Sequence, residues 1–258
     1  MALTLKQYID NPMGKGAYIA GRDFIIADLN NRFHKLVQDK KIELNIYRDR
    51  NDYFYHFIIP SESVDKMTYD IVLKFTCNKE YKFDVSIKNY DIQFFSNCPS
   101  FTYTHAYAFS VNELLVQELR DKYDVGIFNY VPMTRNPNIS VTYEKSIYYA
   151  CKYLLDSPEL LVKTHANKVS TPYNKMKLMY VIRSDKKIDM EYKTLKKEQS
   201  DNKKKEDKEK LNKLKKDLNR KPSKPKKTPS KSNTEHTNKV RTVKAMPKKA
   251  KIKGKRKR

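Results

Sequence analysis

The sequence predicts an α+β fold: an antiparallel sheet of about five or six strands, with an N-terminal helix and C-terminal helices packed on it, then a charged helix and a disordered basic tail. Three observations carry this. The period of the apolar residues changes from helical to alternating and back along the first 185 residues. Strand-like segments follow one another without intervening helices, which separates α+β from alternating α/β. All 11 Phe lie at or before Phe128 and all 19 Tyr at or before Tyr192, so the hydrophobic material belongs to the first part of the chain.

Residues 3–10 predict a short helix, stopped by Asn11-Pro12 and the glycines at 14 and 16. A second helix is expected over 23–39, because Ile25, Leu29, Phe33, Leu36 and Val37 share one stripe; Asp23 is its candidate N-cap. IELNIYR and YFYHFIIP, around DRND, read as a hairpin with strands at 42–48 and 53–59. TYDIVLKFTC sets Tyr69, Ile71, Leu73, Phe75 and Cys77 on one side, and Asp70, Lys74 and Thr76 on the other. After NKE, YKFDVSIK repeats that alternation, which predicts a second hairpin. DIQFF and FTYTHAYAF continue as strands.

Helical spacing returns in VNELLVQELRDKY through Val111, Leu114, Leu115 and Leu119. It recurs in VTYEKSIYYACKYLL through Tyr143, Ile147, Ala150, Cys151 and Leu154, and in a shorter helix over 174–183. From 190 onward good helix formers and the pairs Asp201/Lys205, Glu206/Lys210 and Glu209/Lys213 predict a charged single helix. No apolar residue lies between Leu195 and Leu211, so the heptads of a coiled coil are missing. Pro222, Pro225 and Pro229 then favour extended chain. The expected division is a globular body over 1–185, a charged helical extension over 186–219 and a Lys-rich tail over 220–258.

Charge follows the same division. The formal net charge is +24, of which residues 186–258 contribute +21 and the body only +3. A body of about 185 residues hides roughly 70% of its unfolded surface, whereas the tail lacks the apolar material to offset its ordering entropy. Cys77, Cys98 and Cys151 form no CxxC pair and no disulfide framework, and a reducing, intracellular setting is expected. MALTLKQYIDNPMGKG lacks the pattern of a signal peptide, and no apolar run is long enough to span a bilayer.

The strongest chemical signal is the final KKAKIKGKRKR, with eight basic residues in eleven. Lysine clusters neutralise phosphates and release counterions, a sequence-independent attraction that weakens with salt. Lys248, Lys249, Lys251, Lys253, Lys255, Arg256, Lys257 and Arg258 are therefore the candidate nucleic-acid contacts. Lysine suits point-charge contact with a backbone more than bidentate reading of bases. The last 38 residues, extended at about 3.3 Å each, reach on the order of 125 Å.

Other motifs give less. NPMGKGA lacks the spacing and hydroxyl of a phosphate-binding loop and reads as a flexible turn. His34, His56, His105, His165 and His236 are scattered, without metal-ligand spacing. His105, seven residues after Cys98, is expected as a satisfied histidine in an aromatic strand face with Tyr103 and Tyr107. FTYTHAYAF could also offer bases a stacking platform, against which stands ordinary sheet packing. No carboxylate pair stands out for acid/base work, and neither catalytic residues nor a metal or cofactor are expected.

Lys, Asn, Tyr and Ile are abundant and Trp is absent, a set that AT-rich codons specify. NPMGKGA, NRFHKL, YFYHFIIPSES, FFSNCPSFTYTHAYAF and YEKSIYYACKYLL resemble segments of uncharacterised structural or DNA-associated proteins of tailed bacteriophages of AT-rich, low-GC hosts. The resemblance covers roughly residues 1–185 and carries no functional residue. It implies a phage setting and, within that, a virion or DNA-handling role; a non-enzymatic protein of the virion or host cytoplasm is expected. The partners would be nucleic acid, bound non-specifically, and other virion proteins, with homo-oligomerisation open. The alternatives are a free nucleic-acid-binding regulator or chaperone, and an enzyme acting on nucleic acid with a basic tether.

Overall fold

The computed structural model describes residues 2–13, 19–77, 83–129, 131, 136 and 138–218. The chain divides into two compact units, Met1–Lys210 and Leu211–Arg258. In the second, residues 211–218 end a helix whose side chains are exposed through Lys215.

The first unit is α+β around a five-stranded mixed sheet of order β4-β3-β2-β1-β5. Helix α1 spans Leu5–Asp10. It starts in a reciprocal cap, with Gln7 N donating to Thr4 Oγ1 at 3.3 Å and Thr4 N to Gln7 Oε1 at 2.8 Å. Helix α2, Arg22–Asp39, buries Leu29, Phe33 and Leu36. Its N-cap is Gly21 at φ 67°, two residues before the expected cap, and Asp23 sits in the first turn facing the helix dipole. The left-handed backbone at this entry is what requires glycine.

Strands β1 (Glu43–Asp49) and β2 (Asp52–Pro60) form the expected hairpin, closed by the pair Asp49–Asp52. β3 (Thr68–Thr76) pairs antiparallel with β2, and β4 (Asp91–Ser96) antiparallel with β3. The second hairpin is not formed as expected. Tyr81 and Lys82 lie outside the described residues, Phe83 and Val85 are strongly exposed, and Ile87–Asn89 is a 3-10 helix. Both edges of β3 are already taken by β2 and β4, and the described residues 83–86 instead meet the chain at 162–163, where Lys163 N donates to Val85 O at 2.9 Å.

FTYTHAYAF is likewise not a strand. Pro99–Thr104 forms helix α3 and Ala106–Val111 helix α4, with Pro99 in the first turn, where a missing N–H costs nothing. The aromatics fit a helical spacing as well as an alternating one: Phe101, His105 and Phe109 lie four apart, with ring centroids 5.1–6.3 Å from one another. VNELLVQELRDKY is broken as a helix at Glu113, whose φ is 63°. Phe94 N then donates to Leu114 O at 2.7 Å and Val116 N to Phe94 O at 3.0 Å, pinning this segment beside β4. Gln117–Lys122 follows as a 3-10 helix. Leu114, Leu115 and Leu119 are buried as the pattern required, and Val111 is exposed.

Helix α5, Lys145–Asp156, carries its apolar stripe against the sheet, where Tyr153 meets Phe57 edge-on at 5.8 Å. Helix α6 (Lys163–Val169) carried no helix expectation. β5 (Thr171–Pro172) pairs parallel with β1, so the sheet is mixed instead of antiparallel throughout. Helix α7 spans Lys175–Val181, and α8 runs 34 residues over Asp185–Leu218.

Both sheet faces are covered, which explains why β2 and β3 are buried along nearly their whole length. Phe57, Tyr55, Leu73 and Phe94 lie under α5 and α1, with Tyr8 of α1 4.6 Å from Phe94. On the other face Tyr173 stacks on Phe54 at 4.2 Å and Tyr123 packs on Phe95 at 5.0 Å.

Candidate functional site

The eight expected contacts, Lys248, Lys249, Lys251, Lys253, Lys255, Arg256, Lys257 and Arg258, lie outside the described residues, as do His236 and Gly14 to Ala17 of NPMGKGA. The described part of the basic region is α8, and its root is strongly anchored. Ile188 is fully buried, and Tyr192 and Leu195 pack half-buried on the core. Asp185 Oδ2 accepts from Asp124 N at 2.9 Å, and Tyr103 Oη donates to Asp189 Oδ2 at 2.9 Å. From Lys196 to Lys215 every side chain is exposed.

The residue just before this root, Arg183, enters a buried polar cluster on the sheet. Arg183 Nε donates to Asp70 Oδ2 at 2.9 Å, Asn97 Nδ2 to the same oxygen at 2.8 Å, and His56 Nε2 to Asp70 Oδ1 at 3.0 Å. Burial works against ionising Asp70. The hydrogen bond from His56 and the charge of Arg183 outweigh it and hold the carboxyl below the ordinary aspartate range. A His–Asp pair orients imidazole in many acid/base sites. Here His56 Nδ1 is buried without a hydrogen-bond partner, His56 is fully buried, and Asp70 is committed to Arg183. The cluster ties β2, β3, the β4–α3 connection and the entry to α8 together. Sequence reading missed it because its hydrogen-bonded pairs are up to 113 residues apart.

Two further carboxylates occupy junctions. Glu62 accepts from Arg32 at 2.9 Å, Lys145 at 3.1 Å and the Tyr149 hydroxyl, joining α2 to α5. Burial raises its pKa, and the Tyr149 hydrogen bond and the two cations more than offset that, leaving it lowered. Glu144 caps α5 by accepting from Ile147 N at 3.0 Å and Ser146 Oγ at 2.5 Å. Its Oε1 is buried without a partner, and burial raises its pKa.

The remaining histidines separate. His34 is exposed on α2 and His165 half-buried on α6. His105 is buried between Phe101 and Phe109 on consecutive short helices, so the aromatic surroundings are as expected and the strand is not. It is not satisfied either, since Nδ1 has no partner. No group of His, Cys, Asp and Glu among the described residues could hold a metal ion, and no helix there is long and apolar enough to cross a membrane. The sheet offers no stacking platform from FTYTHAYAF, which is helical, and Tyr8, Tyr55, Tyr90, Tyr148 and Tyr149 are packed inside.

A groove borders one edge of the sheet. A space of about 760 Å³ runs along the outer edge of β1, between Leu44, Tyr47, Tyr153, His165 and Lys177. β5 covers β1 at Tyr47 and Arg48, and Thr171 Oγ1 donates to Ile46 O at 3.5 Å, so the Glu43–Asn45 edge has no strand partner among the described residues. An uncovered edge presents backbone donors and acceptors that an extended peptide can take up.

No family model, curated protein or solved structure matches this chain.

Proposed function

We propose that the protein is a non-enzymatic tether. Its body docks on a protein assembly, and its basic extension and tail hold nucleic acid through phosphates, without sequence preference. The observation that carries this reading is the separation of charge: +3 on the first 185 residues and +21 on the remainder, with α8 leaving the body fully exposed from Lys196. Lys248, Lys249, Lys251, Lys253, Lys255, Arg256, Lys257 and Arg258 are the densest cation run and the principal phosphate contacts. The uncovered β1 edge supports docking by strand addition. The particle of a tailed phage is the setting suggested by the segment resemblance.

The test is binding of the full chain, and of a chain lacking 220–258, to random-sequence duplex DNA across a salt series. The full chain should bind at low salt, with affinity falling steeply as salt rises. The truncation should lose most of that affinity while keeping the far-UV and thermal-unfolding signature of the body. A truncation that binds as tightly, with a shallow salt slope, would transfer recognition to the body and favour a regulator.

A further inference from the structure

Helix α8 carries its lysines in register. Lys186, Lys197 and Lys208 lie eleven residues apart, and Lys193 and Lys204 form a second series at the same interval. Eleven residues close three helical turns to within about 20° at about 100° per residue. The two series therefore merge into one stripe about 60° wide, in which the only other residue before Lys210 is Met190. All five lysines are exposed. Ile188, Tyr192 and Leu195, which hold the helix to the body, lie on the opposite side, so beyond Lys186, which reaches Asp124 of the body, the stripe faces away from the fold.

Acidic residues are kept off that surface. Glu191, Glu198 and Glu209 occupy the far side of the helix, while Asp189, Asp201 and Asp207 flank the stripe. Lys204 meets Asp201 at 3.5 Å and Lys186 meets Asp124 at 3.1 Å, both between largely exposed partners that a phosphate can displace. From Lys186 to Lys208 the helix rises about 33 Å, close to the roughly 34 Å of one duplex turn.

We infer that this stripe is a second, ordered phosphate-binding surface that lies along a nucleic-acid duplex, and that the tail adds to it. The inference rests on the tether reading above. A membrane surface fits less well: a helix lying in a bilayer interface sets apolar side chains beside its cations, whereas α8 uses Ile188, Tyr192 and Leu195 against its own body.

Two full-length variants of equal charge decide it. One replaces Lys193, Lys197, Lys204 and Lys208 by Gln; the other replaces Lys187, Lys203, Lys205 and Lys210, which lie off the stripe. Gln is a good helix former, and circular dichroism should show equal helicity. With duplex DNA as probe, the stripe variant should flatten the log–log salt slope by about 3 to 4, and the off-stripe variant by less than about 1. Equal effects overturn the stripe and leave only diffuse charge. Two unchanged slopes alongside loss of binding on deleting 220–258 overturn it while the tether reading stands. Absence of binding by the full chain removes both. A stripe variant that keeps its DNA affinity but releases phosphatidylglycerol vesicles assigns the surface to membrane, against the inference.

Discussion

Arg183 donates its Nε–H to Asp70 Oδ2 at 2.9 Å, joining the entrance of the long charged helix to the middle of the sheet across 113 residues of sequence. The same guanidinium reaches Thr68 O and Thr68 Oγ1 at 2.9 Å and Glu191 at 3.1 Å. One side chain therefore fixes both strand β3 and the second turn of α8. The root of the charged helix is held by a charge-assisted network inside a low-dielectric interior.

Replacing Asp70 by Asn keeps the shape and removes the charge facing Arg183. Breaking a buried pair from one side costs about 3–5 kcal/mol, which should appear as a lower denaturant midpoint at unchanged slope. The pH dependence has a definite sign. Because the folded carboxyl lies below its unfolded value, its contribution is complete at neutral pH. It is lost as pH falls below about 4 and through the depressed folded value. The variant should lack that portion of acid unfolding. A midpoint within experimental error of the parent would show that Arg183 is solvated, not anchored.

Much of this fold was legible because local and global preferences agree. The β1–β2 hairpin, β3, β4, α2 and α5 each show one apolar period, alternating or helical, that matches the element they form. The failures lie where a single period fits two structures or where an edge is already occupied. Phe101, Tyr103, His105 and Tyr107 alternate, but Phe101, His105 and Phe109 also lie four apart, and Pro99 decides for a helix. Phe83 and Val85 alternate well, yet β3 has no edge to give them. β5 is two residues long and pairs parallel across more than 120 positions, beyond any local signal. The polar cluster around Asp70 was hidden in the same way: Asp70 reads as a solvated residue on the wetter face of β3 until the second layer covers that face.

The three thiols give a labelling test of the same packing. Cys98 and Cys151 are buried, and burial pushes the Cys98 thiol up to about 12 and raises Cys151 as well. Cys77 is half-buried at the end of β3. Reaction with a thiol reagent at pH 8 should modify one cysteine per chain rapidly, mapped by peptide mass to Cys77. The other two should react at the rate of global or local opening. Rapid modification of Cys98 would mean that the β4–α3 connection is open in solution.

His105 sets a separate acid limit. Burial between Phe101 and Phe109 pulls its pKa from 6.5 down to about 4. The unfolded chain takes up a proton near 6.5 and the folded chain only near 4, so the native state is favoured above that window and loses stability as pH falls through it. The shift corresponds to about 3 kcal/mol. Phe in place of His105 removes both the titration and the unpartnered Nδ1, and fits a site already lined by aromatic rings. Stability at pH 7 should be equal or higher in the variant, since a buried polar atom without a partner costs about 1–3 kcal/mol. Between pH 6.5 and 4 the parent should lose stability and the variant should not, by urea unfolding at each pH. This window lies above the aspartate range, so the variant should keep the loss below pH 4 that belongs to Asp70. If parent and variant fall in parallel from pH 6.5, His105 is protonated in the folded protein and the packing of α3 on α4 admits water.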